Sequence, residues 1–133
     1  MSRHLLDADA VIDYLRGIRS TVALLQTLNR QGHVPCTCDV VVAEVFSGLH
    51  AASRAGGAAF LASLDFLPTS SAAAQQAGEW RFDFARRGIA LATTDCLIAA
   101  TALDHGAVVV TGNLRHYPMA GLAVLPLPRV QRP

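Results

Sequence analysis

The sequence contains no lysine, because all eleven of its basic residues are arginine. This absence excludes every mechanism that needs an ammonium group. The eleven arginines nearly balance ten acidic residues, for a formal net charge of +1. A charge this close to neutral argues against a protein that coats nucleic acid non-specifically, because such binding depends on many contacts to phosphates. It leaves room for a local basic rim.

Long apolar runs are also missing. No run reaches the roughly 18 residues needed to cross a bilayer, and the longest candidate, residues 89–103, carries Asp95 at its middle. The N-terminus enters an aspartate-bearing segment at once, so we expect no signal peptide, no membrane association and a cytoplasmic protein. Only three cysteines are present, at Cys36, Cys38 and Cys96. That count predicts small buried side chains rather than a disulfide framework or a zinc site.

The composition that remains is that of a folded chain with a large core. It has 133 residues, of which 52% are hydrophobic and 16% charged. This length suits a single hydrophobic core, and no repeat, low-complexity linker or shift in composition divides it. We therefore predict one domain over residues 1–133.

Helical patterns alternate with short apolar runs along the chain, which predicts an α/β fold with parallel strands. Ser20 and Asp39 are predicted helix N-caps. In such sheets, ligands bind at the carboxyl ends of the strands. The predicted strands cover residues 4–6, 33–37, 107–111 and 122–125. The predicted helices cover residues 9–15, 20–30, 39–53, 57–64, 71–87 and 94–105.

Two carboxylates stand on helix faces that are otherwise apolar. Glu44 shares a face with Val41 and Val45, and Asp95 lies one turn before Ile98. A charge that faces a core is costly unless it is paired or bound to a metal ion. Asp7 adds a third carboxylate, directly after the first predicted strand.

Each acid has an ordinary explanation when taken alone. Asp95 would favour a helix start through the helix dipole, Glu44 would pair with an arginine, and Asp7 would begin a turn. Asp13 falls on an outer helix face, and Asp9 would either cap the helix or support a site. Taken together, acids that the fold brings to one place cannot all stay ionised, because like charges raise each other's pKa. A hard divalent cation such as Mg²⁺, or Mn²⁺ with similar ligands, resolves this conflict.

Four segments of the chain resemble the motifs of the PIN-domain family, and within it the VapC-type toxins of toxin–antitoxin pairs. In the first, Asp9 stands where the family usually has asparagine, and Ala8 replaces a frequent serine or threonine. In the fourth, Asn113 takes a position that is aspartate in many PIN domains and asparagine in many VapC-type members. The four segments, in chain order, are residues 5–12, 42–49, 94–102 and 110–117.

The resemblance implies a PIN-like three-layer α/β/α sandwich, with a central, mostly parallel sheet of four or five short strands. It implies a Mg²⁺-dependent endoribonuclease with Asp7, Glu44, Asp95 and Asn113 as catalytic residues. Of these, Asp7, Asp95 and Glu44 would hold the metal, Mg²⁺ or Mn²⁺, and Thr111 would support Asn113 by a hydrogen bond. Water would attack the phosphorus of RNA and leave a 5′-phosphate.

The family also implies partners: a cognate VapB-like antitoxin that blocks the site, a homodimer and a higher toxin–antitoxin complex. The chain supplies more apolar helix residues than one core face needs, which favours a partner surface. These residues are Val22, Leu25, Leu28, Phe46 and Leu49.

Substrate contacts are harder to assign. His116 with Tyr117 would stack a base, although a tyrosine before Pro118 is more typical of packing. The arginines expected near the site, where they would contact RNA phosphates, are Arg16, Arg86, Arg87 and Arg115.

Two alternatives remain open. The segment around Asp7 and Asp9 also fits the Asp-x-Asp-x-Val signature of haloacid-dehalogenase-like phosphatases, but that family uses a lysine that this sequence lacks. The second alternative is a PIN fold that is catalytically weak or inactive and only binds RNA or protein, which Asn113 and Ala8 favour.

Overall fold

The computed structural model describes residues 1–128, so the last five residues of the predicted domain lie outside the described range. The chain folds into one five-stranded sheet flanked by six α-helices. The strands are β1 (Arg3–Leu6), β2 (Val34–Thr37), β3 (Asp65–Phe66), β4 (Val108–Thr111) and β5 (Val124–Pro126). The helices are α1 (Ala8–Leu15), α2 (Arg19–Arg30), α3 (Asp39–Ser47), α4 (Arg54–Ala62), α5 (Ser71–Arg86) and α6 (Thr93–Asp104). Short 3₁₀ helices cover Ala51–Ser53 and Leu114–His116.

The sheet order is β3-β2-β1-β4-β5, and every neighbouring pair is parallel. The predicted three-layer α/β/α sandwich is therefore confirmed, with five strands. The chain first moves outward from β1 through β2 to β3, then returns to the other side of β1 to form β4 and β5. The strand order thus reverses between β1 and β4, and in open α/β sheets this switch point is where ligands bind.

The central strands are apolar on successive residues because helices cover both faces of the sheet. Leu5 and Leu6 of β1 and Val109 and Val110 of β4 are fully buried. Their register aligns Leu5 with Val109 and Leu6 with Val110, so β1 and β4 end side by side. The residues that follow them, from Asp7 and from Thr111, therefore emerge together at one edge of the sheet.

Two predicted helix caps were wrong. The N-cap of α2 is Ile18, and Ser20 lies inside the first turn, where its hydroxyl donates to the carbonyl of Pro128 at 3.1 Å. The N-cap of α3 is Cys38, and Asp39 is the first helical residue. The Asp39 carboxylate accepts hydrogen bonds from its neighbour's backbone N–H and from the hydroxyl of Thr69. In both cases the polar side chain forms a hydrogen bond with a residue distant in sequence, Pro128 for Ser20 and Thr69 for Asp39.

The stretch after α3 also differs from the prediction. The helix ends at Ser47 with Gly48 as its C-cap, instead of continuing to residue 53, and α4 begins at Arg54 rather than at Gly57. Gly57 is buried inside α4, where a Cβ atom would lie 2.5 Å from the Leu49 side chain. This glycine lies against the end of the Leu49 side chain and does not start the helix.

The two outer strands were located poorly from the sequence. β3 was missed because it has only two residues, Asp65 and Phe66, both exposed. β5 covers Val124–Pro126 rather than residues 122–125. Pro126 is tolerated there because an edge strand needs no N–H on its outer side.

The three cysteines are buried and free. Burial raises the pKa of the Cys38 thiol to about 11, which keeps it protonated at neutral pH. The prediction of small buried side chains without disulfides is confirmed. Among residues 1–128, no helix combines the length and apolar character that a membrane span requires.

The neighbouring glycines of α4 provide a test of this packing. Gly56→Ala should stabilise the protein by about 0.5–1 kcal/mol, because alanine loses less backbone entropy in a helix and nothing lies within 4 Å of its Cβ position. Gly57→Ala should be less stable than Gly56→Ala by about 1 kcal/mol, because Leu49 must leave its rotamer. Urea unfolding of both variants measures the difference, and equal stabilities would contradict the close packing of α4 on Leu49.

Candidate metal centre

The carboxyl ends of β1 and β4 meet the helices α3 and α6 around one acidic cavity of about 290 Å³. All four residues predicted for the site line it, so elements far apart in sequence do converge. The lining residues are Asp7, Ala8, Asp9, Glu44, Ala92, Thr94, Asp95, Asn113 and His116.

Asp7 is the most firmly held of these side chains and is only 5% exposed. As the N-cap of α1, it accepts a hydrogen bond on Oδ1 from the Ala8 backbone N–H at 2.8 Å. Its Oδ2 accepts from the hydroxyls of Thr111 and Tyr117, each at 2.8 Å. The expected support from Thr111 is thus present, although Thr111 contacts Asp7 through its side chain and meets Asn113 only through that residue's backbone N–H, at 3.0 Å.

Tyr117 is a member of the site that the sequence did not reveal. The sequence predicted that it would stack a base together with His116 or pack before Pro118. The residue is buried, 5% exposed, as packing requires, and its hydroxyl contacts Asp7 as well. Burial and the nearby carboxylates, first among them Asp7, raise its pKa well above the ordinary value. The tyrosine therefore remains a hydrogen-bond donor at physiological pH. Only the path of the chain after β4 brings it back to Asp7, and no local pattern predicts that path.

Asp9 and Asn113 form a pair across the cavity. Asp9 Oδ2 accepts from the backbone N–H of Gly112 at 2.8 Å and from the Asn113 side-chain amide at 3.2 Å. The carboxylate that replaces the usual asparagine thus ties the start of α1 to the turn after β4. The amide nitrogen of Asn113 is directed at Asp9, which leaves its carbonyl oxygen as the end that can act as a ligand.

Glu44 approaches from α3, between the fully buried Val41 and Val45. Burial raises its pKa most, and repulsion from Asp7, Asp95 and Asp9 raises it further. Its Oε1 atom is buried and has no hydrogen-bond partner within residues 1–128. A buried carboxylate oxygen without a donor is costly, and a cation ligated at this position would satisfy it.

Asp95 lies in the first turn of α6, and its side chain is 14% exposed. Its Oδ2 is 3.3 Å from Nδ1 of His116, which is half exposed. Burial raises the pKa of Asp95, and Asp7 adds to the increase; His116 and the nearby Tyr117 hydroxyl act in the opposite direction. His116 therefore contacts a carboxylate of the site.

The donor set fits a hard divalent cation. It consists of carboxylate oxygens, the ligands that Mg²⁺ and Mn²⁺ prefer. Burial first, and repulsion from neighbouring carboxylates after it, raise the pKa values of Glu44 and Asp95. In the part of the chain that the structure describes, no three acidic, histidine or cysteine side chains are arranged to hold an ion as a group. Mg²⁺ usually takes one or two carboxylates directly and keeps several waters, so a complete protein cage is not required.

Of the four arginines expected around the site, Arg115 borders it. It lines a second cavity, of about 460 Å³, that shares Asn113 and His116 with the acidic one. Arg16 lines a different cavity, next to the Ala51–Ser53 helix. The other two arginines pack over aromatic rings, Arg86 on Phe82 at 5.7 Å and Arg87 on Phe84 at 4.3 Å.

Comparison with known proteins gives one consistent result. The model of the PIN domain matches residues 4–122. Ribonuclease VapC19 of Mycobacterium tuberculosis is 31% identical over 117 residues, which cover 86% of this chain and 92% of the relative. Ribonuclease VapC10 of the same species is 32% identical over 116 residues, 86% of each chain.

Solved structures agree with the sequence relatives. The DNA-bound VapBC complex of Salmonella typhimurium contains a chain that superimposes with a TM-score of 0.80 and 26% identity, covering 96% of this chain and 99% of that one. VapBC2 of Rickettsia felis, bound to a promoter fragment, has a TM-score of 0.79 at 20% identity, with coverage of 93% and 98%. At that identity, the second likeness supports the fold alone.

The burial of Glu44 and its repulsion from neighbouring carboxylates predict that the ionised side chain lowers the stability of the metal-free protein. Because its pKa is raised in the folded chain, its ionised form costs stability above that pKa, and protonation relieves the cost as the pH falls. In metal-free protein with EDTA at pH 7.5, Glu44→Gln should raise Tm by roughly 2–4 °C. The gain should shrink as the pH approaches 4.5.

Glu79→Gln is the matched control, because Glu79 is the other glutamate of the chain and lies exposed on α5. Its Tm should equal that of the wild type at both pH values. A Glu44→Gln protein that is less stable than the wild type at pH 7.5 would show that Glu44 is held by favourable contacts and is not repelled by its neighbours.

Proposed function

Because this chain belongs to the PIN-domain family, we propose that it is a metal-dependent endoribonuclease toxin that is neutralised by a cognate antitoxin. The observation that carries the proposal is the acidic cavity at the β1–β4 switch point, where Asp7, Asp9, Glu44 and Asp95 converge. Relatives at 31–32% identity are named ribonucleases, and the solved DNA-bound VapBC complex contains a chain of the same fold at 26% identity. The phosphatase alternative has no comparable support.

We assign direct contact with the metal to Asp7 and Asp95, with Glu44 as the third carboxylate. Asp7 Oδ2 already accepts two hydroxyl donors, so Oδ1 is the oxygen available to a cation. Glu44 contributes the buried Oε1 atom that has no donor within residues 1–128. Bound Mg²⁺, or Mn²⁺ in its place, would supply an activated water and offset negative charge on the phosphate.

The remaining residues of the site position the carboxylates and the RNA substrate. Asn113 positions Asp9 through its amide nitrogen, and its carbonyl oxygen would ligate the cation weakly or orient a water. Arg115, at the border of the cavity, is placed to contact a phosphate of the RNA backbone. Hydrolysis would break the bond between phosphorus and the 3′ oxygen, with water as nucleophile. The products are a 5′-phosphate and a 3′-hydroxyl, and the 2′-hydroxyl takes no part in the bond change.

The antitoxin would bind the apolar helices on the β2 side of the sheet. A cavity of about 330 Å³ lies there, lined by Tyr14, Leu25, Phe60 and Leu64 among others. Leu25 was one of the apolar residues expected to serve a partner. An RNA-cleaving toxin acts where cellular RNA and its antitoxin are present, so the proposal includes a cytoplasmic location. The proposal also includes a homodimer within the larger toxin–antitoxin complex.

Cleavage of total RNA in Mg²⁺ or Mn²⁺ tests the activity. Asp7→Asn and Asp95→Asn should each lose more than about 100-fold, since loss of an outer-shell partner alone costs 10–100-fold in such sites. Asp83→Asn is the matched control, because Asp83 is exposed on α5, and it should cut as the wild type does. Equal cleavage by all of these proteins would refute the assigned site. Wild type that binds RNA without cutting it would identify a binding module instead.

The Asp9–Asn113 pair predicts that two damaging changes compensate each other. Asp9→Asn removes one carboxylate, which should weaken Mn²⁺ binding. Asn113→Asp replaces the amide that donates to Asp9 with a carboxylate that repels it. Each variant should therefore cut RNA less well. The double variant restores four carboxylates. Its asparagine at position 9 can accept from the Gly112 N–H and donate to an aspartate at position 113, the reverse of the present bond.

A double-mutant cycle measures the effect. The double variant should recover at least about tenfold in Mn²⁺ affinity over the worse single variant. Losses that simply add would show that the two side chains do not act as a pair.

A further inference from the structure

Tyr117 reaches the acidic cavity from a turn that follows β4. The Leu114–His116 helix precedes Tyr117. The backbone N–H of Tyr117 donates to the carbonyl of Leu114 at 3.0 Å, which holds the backbone from which the side chain extends. The side chain is 5% exposed, as is that of Asp7. A buried tyrosine normally finds a partner for its hydroxyl, and here the partner is a carboxylate 110 residues away in sequence.

The hydrogen bonds on Asp7 divide its two oxygens into different roles. Oδ2 accepts from Tyr117 and from Thr111, each at 2.8 Å. Oδ1 accepts from the backbone N–H of Ala8 at 2.8 Å. A carboxylate oxygen offers about two lone-pair positions, so Oδ2 is filled and Oδ1 keeps one position open. Removal of either hydroxyl would free the carboxylate to rotate and would weaken this distinction.

We propose that Tyr117 is a positioning residue of the metal centre, whose hydroxyl orients Asp7 so that Oδ1 faces the cation. This inference rests on the proposed metal-dependent function. It assigns the hydroxyl, and not the ring, as the functional part of the residue. A role in packing alone would require only the ring.

Tyr117→Phe separates the two roles, because it keeps the ring and removes the hydroxyl. Titration calorimetry with Mn²⁺ alone, without RNA, should give a Kd about 10-fold weaker than that of the wild type, as for other outer-shell partners of metal ligands. Cleavage should need correspondingly more Mn²⁺ for half-maximal rate and should approach the wild-type rate when Mn²⁺ saturates. A residue that only packs would alter Tm and leave both Mn²⁺ constants unchanged.

Tyr14→Phe is the matched control, since Tyr14 is the other tyrosine of the chain and its ring stacks on Phe60 at 4.3 Å. It should bind Mn²⁺ as the wild type does. A second measurement needs no substitution: in metal-free protein, proton NMR should show the Tyr117 hydroxyl as a slowly exchanging signal. Addition of Mg²⁺ should shift that signal.

The outcomes are distinguishable. Tyr117→Phe protein that binds Mn²⁺ within twofold of the wild type, or a Tyr117 hydroxyl signal that Mg²⁺ does not move while Mg²⁺ binds, would overturn this inference and leave the proposed ribonuclease intact. Wild-type protein that binds no Mn²⁺ would overturn the proposed metal-dependent function together with this inference.

Discussion

Repulsion between carboxylates that the fold gathers at one place is the constraint on which the site depends. Asp7 and Asp9 come from the end of β1 and the start of α1, Glu44 from α3 and Asp95 from α6, and all line one cavity. Partial burial removes the water that would otherwise screen these charges. Each carboxylate therefore needs a donor from the protein, a proton or a cation.

The protein provides hydrogen-bond donors to some of these carboxylates and not to others. Those at the sheet edge are held by its own donors: two hydroxyls and a backbone N–H on Asp7, and a backbone N–H and an amide on Asp9. Those from the helices are not held in this way, since Asp95 has an exposed histidine beside it and Glu44 has an oxygen without a donor among residues 1–128. This division is the physical basis of the proposed metal site: one set of acids is fixed in advance, and a cation would complete the other.

Much of this arrangement could be predicted from the sequence, because the signals were local. The apolar runs before Asp7 and Asn113 identified β1 and β4, and Glu44 and Asp95 stood out on apolar helix faces. What could not be predicted depended on contacts between distant segments. Ser20 donates a hydrogen bond to Pro128 and does not cap α2. Gly57 lies inside α4, against the Leu49 side chain, and does not begin the helix. Tyr117 contacts Asp7 although the two residues are 110 positions apart in the sequence. Asp9 was noted as a departure from the family pattern, but its pairing with Asn113 required the three-dimensional structure.

Anomalous diffraction from crystals grown with Mn²⁺ tests the central claim most directly. The account predicts a manganese peak in the acidic cavity, within coordination distance of Asp7 Oδ1 and of an Asp95 oxygen, with Glu44 bound directly or through a water. Crystals saturated with Mn²⁺ that show no peak in this cavity, or a peak ligated elsewhere while the four carboxylates remain unchanged, would contradict it.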